Sequence, residues 1–146
     1  MALEIQMQIE SDILDGKYQL GDLLGQGAHG SVYRARHLAM NRDVAIKIVR
    51  PRADASASVQ AHRDSMIVRR FEQEAQVMAN LRHPGLVAVH DFAVEADRAY
   101  LVMELVDGPT LKDVIAREDL PPEDIRRIGT EVAQTLAYVH SQGVTH

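Results

Sequence analysis

Gly25, Gly27 and Gly30, in the run LLGQGAHGSVYRARH, and Lys47, in the run VAIK, are the residues of this chain best suited to chemistry. Closely spaced glycines leave backbone N–H groups uncovered by side chains, and such groups can converge on phosphate oxygens. A lysine inside an apolar strand adds a positive charge beside them, so glycines and lysine together describe a site for a nucleoside triphosphate. The Gly-x-Gly-x-x-Gly spacing also serves dinucleotide-binding folds. There a helix must follow at once, so that its N-terminus faces the pyrophosphate. Here Ser31-Val32-Tyr33-Arg34-Ala35-Arg36 follows, rich in strand formers and without helical spacing. That is a strand–turn–strand flap. A hairpin with no ligand is the plainer alternative for the glycines, and VAIK downstream argues against it.

Lys47 raises a second question, because a buried ammonium is costly without a partner. Glu74 raises the same question with the opposite sign: it is a carboxylate on the apolar helical stripe Phe71, Ala75, Met78 and Leu81. Pairing with each other would explain both. The alternative is two side chains that snorkel to the surface. The histidines include no His-x-x-x-His pair and no spacing of a zinc site, and His29 reads as an exposed residue at the flap's tip.

Elements that could position these groups follow from periodicity. Three strands are expected near residues 18–25, 30–37 and 43–50. In the third, Val44, Ile46 and Ile48 should face one way and Ala45, Lys47 and Val49 the other. Small Ala45 would then leave room beside Lys47 for a flat ligand. Residues 51–63, rich in Ala and Ser and without a pattern, read as a loop. A helix is expected over 65–81, ended by Arg82-His83-Pro84-Gly85. Two further strands, 86–93 and 98–104, flank a polar turn at Glu95-Ala96-Asp97. After Asp107-Gly108-Pro109, Thr110 and Asp113 form a capping pair for a short helix over 111–117. Leu120-Pro121-Pro122-Glu123-Asp124 opens a last helix with the stripe Ile125, Ile128, Val132, Leu136 and Val139, and Gly143 is its stop. Arg126-Arg127 reads as a solvated face. Residues 1–17 read as a leader ending in an Asp15-Gly16 turn, residues 18–106 as one unit, and residues 107–146 as the start of a second.

GQGAHGSV and VAIK resemble the eukaryotic-like (Hanks-type) serine/threonine protein kinases, of bacterial kind. The similarity continues through RRFEQEAQVMANLRHPGLV and YLVMELVDGPTL, covering about residues 18–146. It implies an α+β fold: a five-stranded antiparallel N-lobe sheet with helix C, the interdomain hinge, and the first two helices of the larger lobe. It implies ATP as cofactor, with Lys47 on the α- and β-phosphates and Glu74 orienting it. The stretch 51–63 makes their separation in sequence longer than is usual for the family. Leu24, Val32, Ala45 and Met103 would wall the adenine. Glu104 through its carbonyl, and Val106 through its N–H and carbonyl, would read the base's edge. His146 matches the structural histidine of the His-Arg-Asp motif, expected to stack under Met78 and Val89. The catalytic aspartate and the magnesium ligands of the family would lie beyond it, so the chain as written is expected to be an inactive fragment.

Bulk properties narrow the rest. At 146 residues, 46% apolar and 25% charged, the composition is that of a folded globular domain. A net charge of −5 with no basic cluster speaks against nucleic acid as a partner. Cysteine is absent, which removes disulfides and thiolate metal sites. No run approaches a membrane span, so a cytoplasmic location is expected, with ATP and a protein substrate as partners of the complete enzyme. The last helix's uncovered stripe makes self-association a further expectation. Two other classes stay open: a non-catalytic nucleotide-binding or interaction module that regulates a full-length partner, and a small-molecule phosphotransferase of kinase-like fold.

Overall fold

A computed structural model describes residues 13–27, 30–49, 57–94, 98–117 and 120–144. The strands are β1 (Ile13–Leu14), β2 (Tyr18–Gly27), β3 (Gly30–His37), β4 (Arg42–Val49), β5 (Val89–Val94) and β6 (Ala99–Glu104). The helices are α1 (Ala57–Asn80), α2 (Leu111–Arg117) and α3 (Pro122–Ser141). All six strands form one sheet in the order β1-β2-β3-β4-β6-β5, antiparallel throughout. β4 and β6 lie inside the sheet and are accordingly rich in apolar residues, because both faces are covered there. Val44, Ile46 and Ile48 enter a core with Leu14, Tyr18, Ala35, Tyr100 and Val102. On the opposite face Val49 joins Ala99 and Leu101 against Phe71 and Ala75 of α1. This is the alternation read from the sequence.

The sheet is rolled. Tyr18, in β2 near one edge, donates its phenol proton to Asp91 Oδ2 of β5 at the other edge, 2.9 Å away. The Tyr18 ring meets His37 and Tyr100 edge-on, and burial, with the Asp91 carboxylate next, pushes its pKa up.

Two expectations change. Residues 13–17, read as the end of a leader, build β1 and a tight turn. Asp15 and Gly16 both take positive φ, and Leu14 is fully buried. The remaining leader residues, 1–12, lie outside the described part, as do residues 51–56, 95–97 and His146. The stretch 51–63, read as a loop, is helical from Ala57, so α1 begins eight residues before the expected start at 65. Its first turns hold Ala, Ser and Gln with no apolar period, but alanine and glutamine are good helix formers.

Candidate functional site

β2 and β3 meet in a hairpin whose strands continue to Gly27↔Gly30. Gly30 has a reason within the fold: its φ is 124°, and a Cβ there would collide with the Ile48 carbonyl oxygen. Gly25 and Gly27 have none. No atom lies within 4 Å of where their Cβ atoms would be, so their bareness leaves open space along the flap. His29 lies outside the described residues.

Residues directly opposite each other on neighbouring strands point to the same face. The register therefore lays out one row, Gly25–Val32–Lys47–Leu101, and beside it Arg34–Ala45–Met103. The structure thus brings Val32, Ala45, Lys47 and Met103 together on the face that carries α1. Leu24 sits in an irregular stretch of β2 between Leu23 and Gly25 and is 51% exposed; Val106, past the end of β6, is 66% exposed. These two large apolar side chains stand at the margins of the patch and lack a cover.

Lys47 is half-buried, and its Nζ stands 5.9 Å from the centre of the Phe71 ring. The ring also tilts against Phe92. The expected ion pair with Glu74 is not formed, and Glu74 is exposed. Its helix is anchored by Phe71 and Ala75. At about 100° per residue, Glu74 falls some 60° to one side of Phe71, and the aromatic ring takes the position beside the ammonium. Met78, expected on the same buried stripe, is 38% exposed.

Behind the hinge the sequence reading missed a feature. Glu104, the last residue of β6, donates its N–H to the Ala88 carbonyl at 2.8 Å. Its Oε2 accepts the Ala88 N–H at 3.3 Å. Glu104 also lines a groove of about 430 Å³ with Arg42, Asp43, Ala88, His90 and Leu105. Burial, and then Arg42, lower the His90 pKa, while Glu104 opposes the shift. Asp43 is gripped by Arg34 and Arg36, each at 2.7 Å, and Arg34 chiefly holds its pKa below the usual carboxylate value. The only advance sign of the groove was a glutamate closing the apolar run AYLVM.

Beyond the hinge, the Thr110–Asp113 cap forms as expected. Asp113 N–H reaches Thr110 Oγ1 at 3.2 Å, and the Thr110 hydroxyl donates to Asp113 at 2.6 Å. Helix α3 is tied to the turn after α1. The Arg82 N–H donates to the Tyr138 phenol oxygen at 3.0 Å, His83 stacks on Tyr138, and Gly85 lies so close to Thr135 that a Cβ would strike its hydroxyl. Gly143 closes the helix with φ 76°.

The protein kinase domain family matches residues 18–146. The chain belongs to that family. It is 38% identical over 138 residues to the serine/threonine-protein kinase PknB of Mycobacterium leprae, covering 91% of this chain and 21% of that protein. It is 39% identical over 135 residues to a probable serine/threonine-protein kinase, CPE1738, of Clostridium perfringens (92% and 18%). For PrkC of Bacillus subtilis the identity is 34% over 134 residues (91% and 19%). The chain spans about a fifth of the length of these curated relatives. The expected α+β kinase N-lobe is the fold observed, with β1 as an added edge strand.

Among the described residues no helix is long and apolar enough to cross a membrane. Nor do three or more His, Asp or Glu side chains come together to hold a metal.

Proposed function

We propose that this chain is the ATP-binding part of a protein serine/threonine kinase and that the patch Leu24, Val32, Ala45, Met103 and Val106 receives the adenine. The observation that carries this is the register, which sets Val32, Ala45, Lys47 and Met103 side by side under a flap whose Gly25 and Gly27 no neighbour requires to be bare. The backbone of Glu104 and Val106 reads the base's edge, Gly25, Gly27 and Gly30 leave the flap's N–H groups accessible to phosphate, and Lys47 adds the positive charge. Glu74 serves as the counter-ion of Lys47 once α1 turns by about 60°, which exchanges the Phe71 ring for the carboxylate. The complete enzyme passes the γ-phosphoryl group of ATP to a protein hydroxyl in the cytoplasm.

Calorimetric titration tests the reading. Adenosine and ATP should bind with similar, weak affinity, with or without magnesium. Labelled ATP and a generic basic substrate should give only background transfer. Tight binding of ATP that requires magnesium would overturn the adenine-led site and favour a nucleotide sensor. Turnover lost in Lys47→Ala would refute the inactivity of the chain.

A further inference from the structure

In an antiparallel ladder, a hydrogen-bonded pair of residues exchanges two main-chain bonds, N–H to carbonyl in each direction. Ala88 and Glu104 occupy such a rung, at the point where β6 ends and the hinge begins. One bond is the ordinary one, Glu104 N–H to Ala88 carbonyl at 2.8 Å. The other is not: the Ala88 N–H goes to the Glu104 side chain, Oε2, at 3.3 Å. The carboxylate has taken the place of its own main-chain carbonyl, which receives no bond from Ala88. The register supports this placement. β5 and β6 slip between Val89↔Met103 and Asp91↔Val102, so His90 is the extra residue and turns into the groove behind the hinge.

We infer that the Glu104 side chain is a positioning residue for nucleotide recognition. By completing the rung with Ala88, it releases the Glu104 carbonyl from the sheet so that this carbonyl is available to the adenine edge. This rests on the ATP-site reading given above. The carboxylate works from the rear of the hinge and touches no ligand. Arg42 and His90 share the groove with it, on the same side as Asp43. Replacing the side chain by one that accepts no hydrogen bond would return the Ala88 N–H to the main-chain carbonyl and withdraw that carbonyl from the base.

The test compares Glu104→Leu, Glu104→Gln and Arg42→Ala with the unaltered chain, using adenosine and inorganic tripolyphosphate as probes. Amide exchange at residues 104–107 and urea unfolding are followed alongside. Glu104→Leu should weaken adenosine about fivefold, the scale of one neutral hydrogen bond, and leave tripolyphosphate unchanged. Exchange should change at residues 104–107. Glu104→Gln, whose amide oxygen still accepts from Ala88, should restore both values. Equal loss for adenosine and tripolyphosphate, failure of Gln to restore, or an effect of Arg42→Ala as large as that of Leu would overturn the inference. If adenosine fails to bind the unaltered chain while exchange still responds to Leu and recovers with Gln, the ATP reading falls and the substituted rung stands.

Discussion

Gly25 and Gly30 share a residue type for opposite reasons, and substitution separates them. Alanine at Gly30 meets a positive φ and the Ile48 carbonyl at once, so Gly30→Ala should lower the unfolding free energy by at least ~1–3 kcal/mol in urea titrations. Alanine at Gly25 or Gly27 meets nothing in the protein. Those variants should unfold within about 1 kcal/mol of the unaltered chain while losing whatever phosphate contact the flap makes. Asp43 offers a pH test. Arg34 first and Arg36 second depress its folded-state pKa. Its contribution is thus complete above about pH 4, the ordinary aspartate range, and is lost as the pH falls through the lower folded value. The difference in urea midpoint between the unaltered chain and Asp43→Asn should shrink over that acid window and stay flat near neutrality. At this scale strand alternation alone puts Ala45 and Lys47 on one face, as the register has them. The sequence could not foresee the ring beside Lys47. Phe71 and Glu74 lie on one helical stripe, and only the helix's rotation against the sheet decides which of them reaches the ammonium.

Among the elements, β3, β4, β6 and α2 were legible because each announces itself within a few residues, through alternation or a cap. β1 was not: two residues carry no period, and its worth lies in Leu14 and the turn that returns the chain to Tyr18. The start of α1 was hidden because alanine-rich helix has no apolar stripe to read. Helix α3 was legible as a helix but its anchorage was not, since Thr135 and Tyr138 reach a turn more than fifty positions earlier. That anchorage predicts a graded helix. Amide exchange should be slower over residues 135–141, where Thr135 and Val139 are buried, than over 122–131, where Ile125 is 58% exposed. Tyr138→Phe removes the acceptor for the Arg82 N–H. It should cost about 0.5–1.5 kcal/mol in a urea titration and speed exchange in the protected half of the helix. Uniform exchange along α3 would show that the contact does not hold it.

For the molecule as a whole, α2 and α3 present Leu111, Ile115, Ile125 and Val132, each 46–62% exposed. Neighbouring apolar side chains left uncovered favour association. Sedimentation at increasing concentration should show self-association that weakens in an Ile125→Lys, Val132→Lys double variant; a monomer throughout would refute the expectation. The rolled sheet has another consequence, for the order in which the chain can fold. Hairpins β1–β2, β2–β3 and β3–β4 join segments adjacent in sequence and can close early. The other neighbour of β4 is β6, made some fifty residues later, and β5 then fills the far edge. The bond from Tyr18 to Asp91 closes a loop of 73 positions. Such long-range closure slows folding, and on a ribosome, where synthesis proceeds from the N-terminus, the β1–β4 meander would wait with one flank of β4 unpaired. Until β6 arrives, the β4 edge has unpaired main-chain groups, and Val44, Ile46 and Ile48 on its face lack their partners Tyr100 and Val102, which leaves a surface that a chaperone can bind. Ribosome-bound chains long enough to free residue 49 from the exit tunnel, but not residue 99, should therefore be captured by chaperones, and chains extended far enough to free residue 104 should escape them.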